Sequence, residues 1–60
     1  INNIIIEILD SQGRIVWQNK GNLNDLKEDI NRYLPNISDG FYLIRITANR
    51  KQFFTKLIKN

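Results

Sequence analysis

The residues best equipped for chemistry in this chain sit in two short stretches, Asp10-Ser11-Gln12-Gly13-Arg14 and Lys56-Leu57-Ile58-Lys59. A catalytic nucleophile needs a base within reach to activate it. The chain has no cysteine and no histidine, and neither Ser11 nor Ser38 has a Lys or carboxylate at a recognisable catalytic spacing. The same absences remove disulfide frameworks and thiolate or imidazole metal sites. Carboxylates alone could hold Ca²⁺, but Asp10, Asp25, Asp29, Asp39, Glu7 and Glu28 are scattered without the spacing of a calcium loop. No glycine-rich phosphate loop is present. An enzyme is therefore not expected, and neither is a cofactor. What Asp10 and Gly13 offer is turn chemistry: a carboxylate that suits the first position of a type I turn, and a residue free to take positive φ.

Size and charge narrow the class further. A chain of 60 residues is one small domain or part of one, and it buries only about 60% of the surface its unfolded form exposes. Stability must come from packing, from a neighbouring domain or from another copy of the chain. The net charge of +3 is mild, although Arg50, Lys51, Lys56 and Lys59 gather near the end. A solvated strand face explains that better than a nucleic-acid stripe, so no nucleic-acid partner is expected. No apolar run approaches the roughly 20 residues of a membrane span. Ile4-Ile5-Ile6 is too short, and lacks the flanks, for a signal peptide. The chain begins with Ile1 and reads as part of a longer precursor.

The elements that must position these stretches are mostly strands. Ile4 to Leu9 is rich in β-branched residues. A three-residue loop over Ser11 to Gly13, with Gly13 as a bulge, would turn it back on residues 14–18. That turn sets Asp10 against Arg14, Leu9 against Ile15, Ile8 against Val16 and Glu7 against Trp17. Residues 18–25 are polar and read as a loop. In the next stretch Leu23, Leu26, Ile30, Tyr33 and Leu34 fit helical spacing, while Ile30, Arg32 and Leu34 alternate as a strand does. The pattern leaves both open until Pro35 stops either one. Ser38-Asp39-Gly40 is a second turn signal, followed by strands over 41–48 and 52–59. A two-residue loop of Arg50 and Lys51 would pair Ile44 with Leu57, Ile46 with Thr55 and Ala48 with Phe53. On the opposite face it would set Leu43 against Ile58 and Arg45 against Lys56, a like-charge pair that wants a carboxylate nearby.

Three blocks in this order make a more specific pattern than any one alone. Asp10, Gly13, Arg14 and Val16 form the first; Ile37, Gly40 and Tyr42 the second; Lys56 to Lys59 the third. Together they resemble the C-terminal sorting domain (type A) of the type IX, or Por, secretion system, carried by many exported proteins of Bacteroidetes. The family pattern is an apolar strand ending in Asp-x-x-Gly-Arg, a valine-bearing strand, a Leu-x-x-Gly-x-Tyr segment and an ending of Lys-Leu-Ile-Lys. Ile37 stands here where the family has Leu.

That resemblance implies an all-β, immunoglobulin-like antiparallel β-sandwich, usually of about seven strands. About five of them would be visible here, with the fifth near residues 29–34, so residues 1–60 would be a sorting domain lacking its usual N-terminal strands. It further implies a non-catalytic signal that directs a cargo across the outer membrane. The partners would be the outer-membrane translocon, a sortase-like peptidase and an upstream cargo domain. The whole protein would be secreted or held at the cell surface after transit through the periplasm. The recognition candidates are Asp10, Gly13, Arg14, Gly40, Tyr42, Lys56, Leu57, Ile58 and Lys59. An ion pair with Asp10 is the simpler explanation of Arg14.

Packing gives a separate set of expectations. Ile6, Ile8, Val16, Tyr42, Ile44, Ile46 and Leu57 should form the core. Leu9, Ile15, Leu43, Phe54 and Ile58 should be covered by another layer or by a second copy, through an apolar face or an open sheet edge. The rival reading is an accessory carbohydrate-binding or structural β-sandwich module of a secreted glycosidase, with Trp17 and Tyr42 as platforms. A sugar platform must be open to water, so exposure of Trp17 separates the two.

Overall fold

The structure, a computed structural model, describes residues 3–60. Its elements are β1 (Ile4–Leu9), β2 (Ile15–Gly21), α1 (Leu23–Tyr33), a 3-10 turn at Leu34–Asn36, β3 (Gly40–Ala48) and β4 (Lys51–Lys59). The strands form one antiparallel sheet in the order β2-β1-β3-β4. The helix lies on one face of it, so the mostly antiparallel β architecture is as expected. Among the described residues the strands number four, where about five were expected.

The difference lies in residues 29–34, which are the end of α1 and the start of the 3-10 turn rather than a strand. Two local features decide it. The side chain of Asn22 accepts a hydrogen bond from the Asp25 N–H at 2.9 Å and donates one to the Asp25 carboxylate at 3.0 Å. That N-cap satisfies an amide that has no partner within the helix. Leu26 and Ile30, one turn apart, then meet the apolar face of the sheet together. Leu26 packs with Ile4 and Ile6, and Trp17, Ile30, Ile44, Ile46 and Ala48 close around them. The alternation of Ile30, Arg32 and Leu34 is incidental to this packing. Residues 18–25 are likewise not a loop, since β2 runs on to Gly21 and α1 begins at Leu23.

Both hairpins differ from expectation in register. The Asp10–Gly13 turn forms as read, and Leu9 pairs with Ile15, but the register then shifts and Ile8 faces Trp17. Glu7 consequently faces Gln18. Val16 falls at this bulge and is 39% exposed, so it leaves the expected core. Bulges of this kind bend an edge strand and increase its twist.

In the second hairpin Ala48 pairs with Lys51, which makes Asn49 and Arg50 the two-residue loop. Both carry positive φ, 52° and 65°, as a type I′ turn requires. Ile44 therefore faces Thr55, Ile46 faces Phe53 and Tyr42 faces Leu57. Leu43 faces Lys56 and Arg45 faces Phe54. The displacement is an even number of residues, so each side chain keeps its expected face.

Ile6 and Ile8 are buried as expected, and Tyr42, Ile44, Ile46 and Leu57 are half-buried. Ile4, Leu26 and Ile37 are further buried residues that the strand pattern did not single out. The other face of the sheet carries exposed Ile15, Phe41, Phe54 and Ile58. Between them Arg45 donates two hydrogen bonds to Glu7, from Nε to Oε1 at 2.7 Å and from Nη2 to Oε2 at 2.9 Å. The carboxylate that Arg45 needed comes from the central strand.

Candidate functional site

Asp10 organises the turn that carries the first block. Its carboxylate Oδ1 accepts hydrogen bonds from the backbone N–H of Gln12 at 2.9 Å and of Arg14 at 3.0 Å. Its backbone pairs with the same loop, the Gly13 N–H donating to Asp10 O at 3.0 Å and the Asp10 N–H donating to Arg14 O at 2.8 Å. The second carboxylate oxygen receives Arg14 Nε at 3.0 Å. Hydrogen bonds to the charged form favour it. The Asp10 carboxyl is accordingly held below its ordinary value, chiefly by the Arg14 backbone amide, against an opposing contribution from burial.

Gly13 sits at φ +82°, with nothing near the position a Cβ would take. Backbone conformation, not space, demands glycine there. Arg14 is anchored through Nε, but its side chain remains 73% exposed. The guanidinium is therefore both oriented by the turn and presented to solvent.

The second block meets this turn because β3 pairs with β1. Gly40 opens β3 at φ +154°, a backbone conformation that L side chains rarely adopt. Tyr42 is half-buried, and its hydroxyl donates to the backbone oxygen of Ser38 at 2.6 Å, which closes the Ser38–Gly40 turn. The third block arrives with β4. Gly40 pairs with Lys59, Phe41 with Ile58, Tyr42 with Leu57 and Leu43 with Lys56.

Ile58 is 60% exposed on the uncovered face, whereas Leu57 is half-buried on the helix side. Lys59 is tied down, its Nζ donating to Leu34 O at 3.3 Å. Lys56 is exposed and borders a groove of about 420 Å³ with Leu9, Asp10, Ser11, Gly13, Phe41, Tyr42 and Leu43. The groove is apolar along its strand residues, with a carboxylate and an ammonium at its rim. Blocks from opposite ends of the sequence thus meet at one end of the sheet.

Four residues outside the nine candidates line the groove: Leu9, Ser11, Phe41 and Leu43. Strand alternation could have found Phe41 and Leu43, because they share a face with Leu9 in the β1–β3 register. Among the described residues no group of acidic side chains is placed to hold a metal ion.

Trp17 is no open platform. It is half-buried, packs against the core and stacks on Tyr33 with ring centroids 5.6 Å apart. Tyr42 is half-buried with its hydroxyl already engaged. The carbohydrate reading loses its two platforms.

A small antiparallel domain whose marked residues are turn-formers, exposed charges and a shallow groove has the chemistry of a recognition module. The family comparison makes that specific: residues 2–60 match the family of secretion system C-terminal sorting domains, and the chain belongs to it. Its function is that of a C-terminal sorting signal for type IX secretion. Such a domain interacts with the type IX machinery and marks a secreted or cell-surface protein. Comparisons with curated proteins and with solved structures give no match.

Proposed function

We propose that residues 1–60 act as one sorting unit, and that the end of the sheet where the three blocks meet is the surface the export machinery reads. In this reading Asp10, Gly13 and Gly40 shape the surface, and Tyr42 and Leu57 support it from the helix side. Arg14, Lys56 and Ile58 contact the partner, while Lys59 pins the end of β4 to the turn after α1. The domain does no chemistry of its own. Its partners are the outer-membrane translocon and a sortase-like peptidase, met after the precursor has entered the periplasm, with the cargo supplied by an upstream domain. The observation that carries this reading is the groove bordered by Asp10, Gly13, Tyr42 and Lys56, drawn from all three blocks.

The test fuses the domain, with its natural upstream residues, to a fluorescent passenger bearing a periplasmic export signal, in a host with type IX machinery. Deleting Lys56 to Asn60 should abolish release, since it removes the strand that pairs with the start of β3. Lys56→Ala together with Lys59→Ala removes charge, leaves the core in place and should reduce release strongly. Release of the truncated fusion at the intact level would contradict the sorting role of this end. Normal release of the double-alanine fusion alone would reduce both lysines to solvated edge charges.

A further inference from the structure

The two edges of the sheet are finished differently. Alternation from the two-residue loop at Asn49–Arg50 turns the backbone N–H and C=O of Gln52, Phe54, Lys56 and Ile58 away from β3, to the outer edge of β4. The same alternation carried across the sheet turns those of Gln18 and Lys20 to the outer edge of β2. The β2 edge is guarded. Tyr33 Oη donates to Val16 O at 3.1 Å, and the Lys20 N–H donates to Asn19 Oδ1 at 2.9 Å. A register shift interrupts the ladder beside Val16.

The β4 edge has none of this. Its pairing with β3 runs through nine consecutive residues without a shift, and among the described residues no hydrogen bond reaches its outward backbone groups. Side chains on both faces of β4 are also left open, with Phe53, Phe54 and Ile58 all more than half exposed. A straight, unpaired edge of this length is a template for an added strand.

Charge selects the occupant. β4 carries Lys51, Lys56 and Lys59 and no carboxylate. Pairing two copies of β4 antiparallel over their full length would set Lys51 of each copy against Lys59 of the other, and like charges directly opposite repel. An acidic strand meets the same three lysines favourably. We propose that the outer edge of β4 accepts an extended, acidic strand from a partner protein by antiparallel strand addition. Assigning that partner to the secretion machinery rests on the sorting reading; the strand addition itself is read by a separate measurement.

The probe is a synthetic peptide, Glu-Val-Thr-Glu-Val-Thr-Val-Thr-Glu, which antiparallel pairing sets with its glutamates opposite Lys59, Lys56 and Lys51. Its control has Lys in place of each Glu. Binding is followed by amide hydrogen exchange on the domain carried at the end of its passenger. The acidic peptide should slow exchange at Gln52, Phe54, Lys56 and Ile58, and the basic one should bind at least about tenfold more weakly.

Phe54→Pro removes an outward N–H without touching the β3 ladder, whereas Phe54→Thr removes the same ring and keeps the N–H. Peptide binding should survive Phe54→Thr and be lost in Phe54→Pro. Equal binding of the two peptides, or protection not centred on the outward amides, would overturn the proposal on the unaltered chain whatever the variants do. Equal binding by the two variants would overturn it as well. Passenger release separates the readings. If the peptide fails at the edge while release still depends on the Asp10–Lys56 groove, strand addition falls and the sorting reading stands.

Discussion

The two faces of the sheet divide a packed core from an open surface that we propose is read for sorting. On the covered face Leu26 of α1 closes over Ile4 and Ile6, and Trp17, Ile30, Ile44, Ile46 and Ala48 pack around them. Neither Leu26 nor Ile30 belongs to a motif. On the open face and at its end, the motif residues spend their interactions on turns and on the Arg14–Asp10 ion pair, and Arg14, Lys56 and Ile58 stay exposed beside Phe41. The difference teaches that the motif records little of the core. It records chiefly the geometry of one end of the sheet, and buried Ile37 with half-buried Tyr42 and Leu57 are where the two regions touch.

Substitutions on the two faces should therefore separate. Leu26→Ala is expected to have the largest effect on folding, about 2–5 kcal/mol, because Leu26 is almost fully buried beneath the helix. Chemical denaturation measures it, and an unchanged midpoint would mean that α1 does not close the core. Gly13→Val should follow at about 1–3 kcal/mol, since a β-branched residue is strained at φ +82°. Its midpoint should fall even though the added Cβ meets nothing.

The smallest effect belongs to the ion pair on the open face. The hydrogen bond from Arg45 holds the Glu7 carboxyl below its ordinary value of 4.5, against the opposing effect of burial. A carboxyl whose folded pKa is lowered contributes stability that is fully present above its unfolded value and is lost as pH falls through the folded one. Stability of the chain should decline below about pH 4.5. In Glu7→Gln the part of that decline due to this group should vanish. Denaturation midpoints across the acid range check it, and identical slopes for the two chains would remove Glu7 from the balance.

How much of this was legible in the sequence follows the same division. The Asp10–Gly13 turn could be read because its determinants, a carboxylate and a glycine three residues apart, are local. The placement of side chains on each face of the β3–β4 hairpin could be read from alternation, but its register could not. Asn49 suits positive φ, but Arg50 takes it without being glycine, so only half of the usual loop signature was present. The helix was legible in part. Leu26 and Ile30 have the right spacing, but the choice against a strand rests on their burial over Ile4 and Ile6, a contact far apart in sequence. The Asn22–Asp25 cap was the local signal available, and the polar run around it masked it as a loop. The nine candidate residues were found as a motif, but the meeting of Asp10, Gly13, Tyr42 and Lys56 at one groove depends on strand order, which spacing does not encode.

Blocking the groove without disturbing the core tests the division most directly. Ser11 is exposed at the hairpin tip and lines the groove, while Asn24 is also exposed, on α1. Passenger release should be measured for Ser11→Trp and Asn24→Trp, with the denaturation midpoint of each fusion recorded alongside. Ser11→Trp should stay folded and lose release, and Asn24→Trp should be released as the intact domain is. Release of a folded Ser11→Trp fusion at the intact level would contradict a recognition surface at this end of the sheet.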